Sequence, residues 1–287
     1  MAIEQIIVPR AETLGAIPIR RLLPSQGRQM IGPFIFMDQG GPVTVPYVPG
    51  GGVPEHPHAG LATFTYAIRG SIRHRDSAGH SVRISAGDIA LMYAGAGITH
   101  EELADPAESS PTREVYFVQM WLALPDAYED MAPLFEHFPE RDLPLIEGSG
   151  VRIRLLLGAL GGHRAQTTCL TETLFANVEL SSASSYVIED SVSERAVMLL
   201  EGDACLGESG LDRFALNILM PGETPILSSD HGCRAILLGG HTFPSPRFIA
   251  GSFVASSEDK IRKWMRDYSR GDFPRIDRQA SLGESRT

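Results

Sequence analysis

Short apolar or alternating runs punctuated by glycine make up most of this 287-residue chain, and long helical stripes are few. In Ala62-Thr63-Phe64-Thr65-Tyr66-Ala67-Ile68, the residues Phe64, Tyr66 and Ile68 recur at every second position. That period of two predicts a half-buried strand with the threonines on its other face. Ile72 to Arg75, the turn-like Asp76-Ser77-Ala78-Gly79 and Ser81 to Ile84 predict a hairpin, and Ser85-Ala86-Gly87-Asp88 a tight turn after it. Ile89 to Tyr93 and Val115 to Leu124 complete a first set of strands. Pro125 to Leu145 is polar and helix-tolerant, and is expected to be a connector.

The second half repeats this plan. Val197-Met198-Leu199-Leu200-Glu201-Gly202 resembles Tyr66-Ala67-Ile68-Arg69-Gly70, and Met220-Pro221-Gly222-Glu223 resembles Ser85-Ala86-Gly87-Asp88. Duplicated short strands with glycine turns fit two antiparallel barrels better than a doubly wound sheet, which needs helices between its strands. The expected fold is all-β, two jelly-roll barrels in one chain, divided as residues 1–135 and 136–287. Helical spacing is concentrated near the end, where Ile261, Trp264, Met265 and Tyr268 fall on one stripe. Ser256 with Asp259 predicts the helix start and Gly271 its stop. From about Arg275 the tail is polar and expected to be mobile.

Composition narrows the picture. The chain has 25 Lys+Arg against 35 Asp+Glu, a formal net charge of −10, unsuited to a sequence-independent grip on nucleic acid. Cys169, Cys205 and Cys233 are odd in number, widely spaced and without a CxxC pair, so they read as small buried residues rather than disulfides or metal ligands. No basic and apolar leader precedes Glu4, and no apolar run reaches the ~20 residues that span a bilayer. The expectation is a cytoplasmic, monomeric protein without a membrane segment.

Histidine carries the chemistry. His56-Pro57-His58 places two imidazoles on one side of an extended chain, and His100-Glu101-Glu102 does the same for an imidazole and a carboxylate. On neighbouring strands facing one interior, His56, His58, His100 and Glu102 supply three neutral nitrogens and one carboxylate. Such a set suits a borderline divalent transition metal rather than Mg²⁺ or Ca²⁺. Continued strand parity from His56 and His58 leads to Phe64, Tyr66 and Ile68, so the histidines are expected to share that apolar interior. In the second half the same offsets fall on Ile188, Asp190, Ala235 and Leu237, so that barrel is expected to be metal-free. His74 and His80 flank the hairpin and are expected to be solvated, His137 sits in the connector, and His163, His231 and His241 are turn or core residues. Pro49-Gly50-Gly51-Gly52 lacks the Lys-Ser/Thr pair of a phosphate loop and reads as a flexible pocket mouth.

Several of these motifs occur together in one order. They are Gly32 to Asp38, His56-Pro57-His58-Ala59-Gly60, Tyr66 to Gly70, His74 to Ser77 with Gly79, Ala86-Gly87-Asp88, Ala94 to Glu102, and Gln119 to Pro125. Together they resemble the pirin family of bicupins, over nearly the whole chain and most specifically in its first half. The resemblance implies a metal, iron in most descriptions, on His56, His58, His100 and Glu102, with Ni, Mn, Co, Cu or Zn as alternatives. It further implies activity like that of quercetin 2,3-dioxygenases, in which a flavonol is ring-opened by dioxygen with release of carbon monoxide. Glu102 is then the candidate catalytic base, and Phe34, Phe36 and Met37 are expected walls for a small aromatic substrate. Other pirins are described as metal-responsive regulators of transcription factors or metabolic enzymes, which makes a protein partner the alternative. Where the family usually reads His-Pro-His-Arg-Gly-Phe-Glu, this chain has Ala59, Gly60, Leu61 and Ala62 after His58, so that arginine and that glutamate are absent.

Overall fold

The computed structural model describes residues 2–107 and 110–277. The chain forms two compact units whose segments interleave. One takes Met1–Glu12, Ile19–Gln39 and Glu140–Pro244, and the other Thr13–Pro18, Gly40–Pro139 and Ser245–Thr287. A single cut between 135 and 136 separates only their central stretches, because compactness is set by pairing between strands distant in sequence. Each unit is built from curled antiparallel sheet, as the alternating pattern predicts. No helix among the described residues is long and apolar enough to cross a membrane.

In the unit that holds the histidine cluster, the strand Leu61–Asp76 is central. It pairs with Thr112–Ala123 on one side and Ile89–Tyr93 on the other, and its far end pairs with Ser81–Ser85 and Ile98–Leu103. Gly52–His58 pairs with Ile98–Leu103 and sets His56 opposite His100. The predicted hairpin forms in register, Ile72 opposite Ile84 and Arg75 opposite Ser81. The stretch 125–145 departs from expectation. Its helical content is two single 3₁₀ turns, Asp126–Tyr128 and Glu140–Asp142, and Leu134–Phe138 between them is a strand on the edge of Ile89–Tyr93. That exposed strand edge captures the segment more strongly than its polar composition favours a turn or helix.

The other unit repeats these devices. Its main sheet runs Ile3–Ile7, Leu216–Leu219, Glu194–Gly202, Cys233–Gly240, Thr173–Leu180, Val151–Leu160, Leu145–Gly148. Gly70 and Gly202 occupy the same role. Both have φ near +80°, and a Cβ on either would lie about 2 Å from the carbonyl oxygen of the adjacent strand, Glu114 or Gly232. Only glycine fits there. The following turns match too, Asp88 N–H bonding Ser85 O and Glu223 N–H bonding Met220 O. Of the three cysteines Cys233 is buried, while Cys169 and Cys205 are partly exposed.

The helix Glu258–Arg270 begins one residue later than Ser256 would place it. Ser257 is the N-cap, accepting from Lys260 N–H, and Gly271 closes the helix in the left-handed conformation at φ 81°. Ser256 is drawn away to Glu129, giving it both its N–H and its hydroxyl, and Lys260 reaches the same carboxylate at 2.9 Å. Glu129 is wholly buried, so these donors meet the desolvation cost of its charge. Ile261 and Trp264 pack against Ala59, Phe253, Ala255 and Phe273. The start of the tail is not free: Ile276 is buried and its N–H bonds Glu55, while residues 278–287 lie outside the described residues. Trp264→Ala is expected to cost this unit about 3–5 kcal/mol of stability, read as a lower midpoint in urea unfolding, whereas Met265→Ala, at an exposed position of the same helix, should stay within about 0.5 kcal/mol.

Candidate metal centre

His56 and His58 stand on one strand and His100 on its antiparallel neighbour, and the three rings turn their Nε2 atoms toward one point. His58 Nε2 lies 3.1 Å from His56 Nε2, which lies 3.0 Å from His100 Nε2. His58 and His100 are buried and His56 is half-buried. The proton positions follow from the partners of the other ring nitrogens. His56 Nδ1 faces the carbonyl of Pro54 at 2.8 Å and His58 Nδ1 that of Ser252 at 3.0 Å. A carbonyl only accepts, so both rings carry their proton on Nδ1 and present a bare lone pair at Nε2. Burial, reinforced by the neighbouring His56, pushes the pKa of His58 down to about 3, and burial lowers that of His100 as well. Neutral rings with lone pairs converging at such distances repel unless a cation lies among them. The donor set therefore fits a divalent metal.

Glu102 belongs to a second set, its carboxylate lying within 4.8 Å of donor atoms of both His74 and His100. Thr65 Oγ1 donates to Glu102 Oε1 at 3.1 Å and Gln119 Nε2 to Oε2 at 2.7 Å. The two donors sit opposite one another in register on adjacent strands. The face of Leu61–Asp76 that meets the centre is thus the threonine face, not the Phe64, Tyr66 and Ile68 face that parity predicts. Parity is lost because Gly60, at φ 70°, interrupts the chain between the two strands. Thr63 and Thr65 are consequently buried, and Trp121, opposite Thr63, sets its ring 5.1 Å from His58.

His74 is likewise not solvated. It is 2% exposed, bonds Asp76 through Nε2 at 3.1 Å, lies with Nδ1 3.5 Å from His100 Nδ1, and stacks on Phe135 at 4.4 Å. The residue sequence H-x-D in a hairpin strand was the available signal, but whether it faces solvent or the interior is a matter of which strand lies beside it. His80 is half-exposed and bonds Asp76, and His137 bonds Asp88.

Beside Glu102 opens a cavity of about 40 Å³, walled by Leu14, Ile17, Val53, Ile72, Val115 and Phe117, with Arg113 and Gln119 as its polar edge. The expected walls Phe34, Phe36 and Met37 belong to the other unit, where Phe34 packs on Phe175, the partly buried Phe36 carries the Arg21 guanidinium, and Met37 is wholly buried. Gly52 of the glycine run does line the cavity. Ala59 and Ala62 are wholly buried, Ala59 against Trp264 and its neighbours, so in this chain those two positions carry packing. In the other unit Ile188, Ala235 and Leu237 are buried in an aliphatic core. His100→Ala and Glu102→Ala are each expected to weaken Co²⁺ binding at least ~100-fold in chelator competition, and Thr65→Val, which removes only a support of Glu102, about 10-fold.

Comparison with known proteins places this architecture. The pirin sequence profile matches residues 16–122, and that of the pirin C-terminal cupin domain residues 175–274. A Pseudomonas aeruginosa protein provisionally named quercetin 2,3-dioxygenase is 38% identical, over 96% of this chain and 87% of its own. A pirin-like protein of Caulobacter vibrioides is 32% identical over 94% of each. The crystal structure of quercetin 2,3-dioxygenase from Acinetobacter baumannii superposes with a TM-score of 0.87 at 30% identity, covering 95% of this chain and 91% of that one. With its duplicated barrel plan and its histidine-rich first half, the chain belongs to the pirin family of bicupins.

Proposed function

We propose that this protein is a mononuclear, Fe(II)-dependent dioxygenase acting on a flavonol-type enol such as quercetin, with His56, His58, His100 and Glu102 as the metal ligands. The observation that carries the reading is the convergence of the Nε2 atoms of His56, His58 and His100, with the Glu102 carboxylate close to His100 and an apolar cavity beside it. The names of the Pseudomonas and Acinetobacter relatives support the reaction type.

A divalent metal in this shell, formally +1 with one carboxylate, supplies attraction for an anionic oxygen donor and open positions for substrate and dioxygen. The chain's own residues do the rest. Glu102 takes the hydroxyl proton of the substrate. Thr65 and Gln119 each occupy one lone pair of its carboxylate, one per oxygen, which fixes its plane and leaves a lone pair on either oxygen to receive that proton. Val53, Ile72, Val115 and Phe117 give the cavity beside Glu102 an apolar wall. The cavity of about 40 Å³ takes a molecule the size of water or dioxygen and is well below the ~300 Å³ of ordinary ligand pockets. The fused rings of a flavonol therefore lie outside it, on the side where His56 is half-exposed, with only the hydroxyl end directed at Glu102.

Protein loaded with Fe²⁺, and separately with Ni²⁺, Mn²⁺, Co²⁺ or Cu²⁺, is expected to consume quercetin and dioxygen in equal amounts and to release carbon monoxide. His56→Ala and Glu102→Ala should each lower turnover by at least ~100-fold. Retained metal with no turnover on any of these ions would overturn the enzymatic reading in favour of a metal-dependent binding protein.

A further inference from the structure

Three histidines carry the proposed metal, yet a fourth is as buried as His58 and His100 and touches one of them. His74 lies between Phe135, stacked at 4.4 Å with the ring planes 16° apart, and His100, 5.3 Å away between centroids. Its Nε2 meets Asp76 at 3.1 Å and its Nδ1 meets His100 Nδ1 at 3.5 Å. Asp76 is wholly buried at its side chain and is held by the backbone N–H groups of Ala78 and His80 and by the His80 ring. A carboxylate so surrounded accepts and does not donate, so in a neutral His74 ring the proton resides on Nε2 and Nδ1 is bare. A bare Nδ1 facing His100 Nδ1 can only accept, which puts the His100 proton on Nδ1 and leaves His100 Nε2 free for the metal.

We propose that His74 is a positioning residue of the metal centre, setting the tautomer and orientation of His100 through a hydrogen-bond path anchored on Asp76. Resting on the metal reading given above, this extends the shell by one ring and one carboxylate. It also accounts for a buried histidine that the ligand set leaves unused. Pro54 O and Ser252 O perform the same task for His56 and His58. His100 differs in that its support is a charged group relayed by a ring, so it alone receives negative charge from behind, which strengthens its donation to a cation.

The test uses the full-length protein. In metal-free wild type, ¹⁵N NMR of the histidine rings should show His100 protonated at Nδ1 and bare at Nε2; protonation at Nε2 overturns the proposal without any variant. His74→Phe keeps the ring stacked on Phe135 and removes the acceptor, and His74→Gln keeps a carbonyl acceptor. His74→Phe should bind Co²⁺ ~10–100-fold more weakly and shift the visible spectrum of the bound Co²⁺, with His74→Gln recovering most of the affinity at similar thermal stability. Equal affinity and spectrum in wild type and His74→Phe would overturn the positioning role while leaving the metal centre standing. If wild type itself binds no Co²⁺ or Fe²⁺, the metal reading fails and the proposal with it.

Discussion

Two imidazoles of the centre commit their Nδ1 proton to a backbone carbonyl, the third has His74 behind its Nδ1, and the three Nε2 atoms face one another at 3.0 to 3.1 Å in a largely buried setting. Rings left to themselves would rotate out of such an arrangement or pick up a proton, and burial opposes the second route, as the depressed pKa of His58 shows. The arrangement persists because the scaffold holds each ring from behind. Much of what is distinctive in this unit can be traced to that requirement.

The carbonyl that orients His58 belongs to Ser252, in a turn between two short strands, Phe248–Ala250 and Phe253–Ala255, close to the C-terminal helix. That turn is pinned by Phe253 and Ala255 packing with Ile261 and Trp264, and by the buried Glu129 gathering Ser256 and Lys260. A helix 200 or more residues from His58 in sequence is therefore coupled to the ligand geometry through ordinary packing. Ala59 fits this scheme: a wholly buried small residue at that position lets the chain following His58 lie against Phe253 and Trp264.

The two halves share a backbone and differ in what fills it. The left-handed glycines Gly70 and Gly202 and the turns at Gly87 and Gly222 are the same devices at matching places. Around them, one interior gathers histidine, glutamate, threonine and glutamine, whereas the other buries Ile188, Ala235 and Leu237 among aliphatic side chains. Backbone geometry limits the first by sterics and leaves the interior chemistry open, so the same frame can hold a polar centre or an apolar core.

The sequence by itself determined the elements whose causes are local. The hairpin at Asp76–Gly79, the Gly87 turn, the helix ended by Gly271 and the H-x-H and H-x-E pairs could all be read from spacing and residue type, because a strand's period of two and a glycine's freedom at positive φ act within a few residues. The family resemblance added the assignment of those pairs to one metal. Tertiary structure alone decided which face of Leu61–Asp76 looks onto the centre, since one left-handed glycine, Gly60, cancels the parity that spacing suggests. It also decided that Leu134–Phe138 is a strand, that Phe34 and Met37 belong to the other unit, and that His74 and Asp76 stand behind His100. Each of these depends on which strand lies beside which, a long-range pairing that no local pattern in the chain encodes.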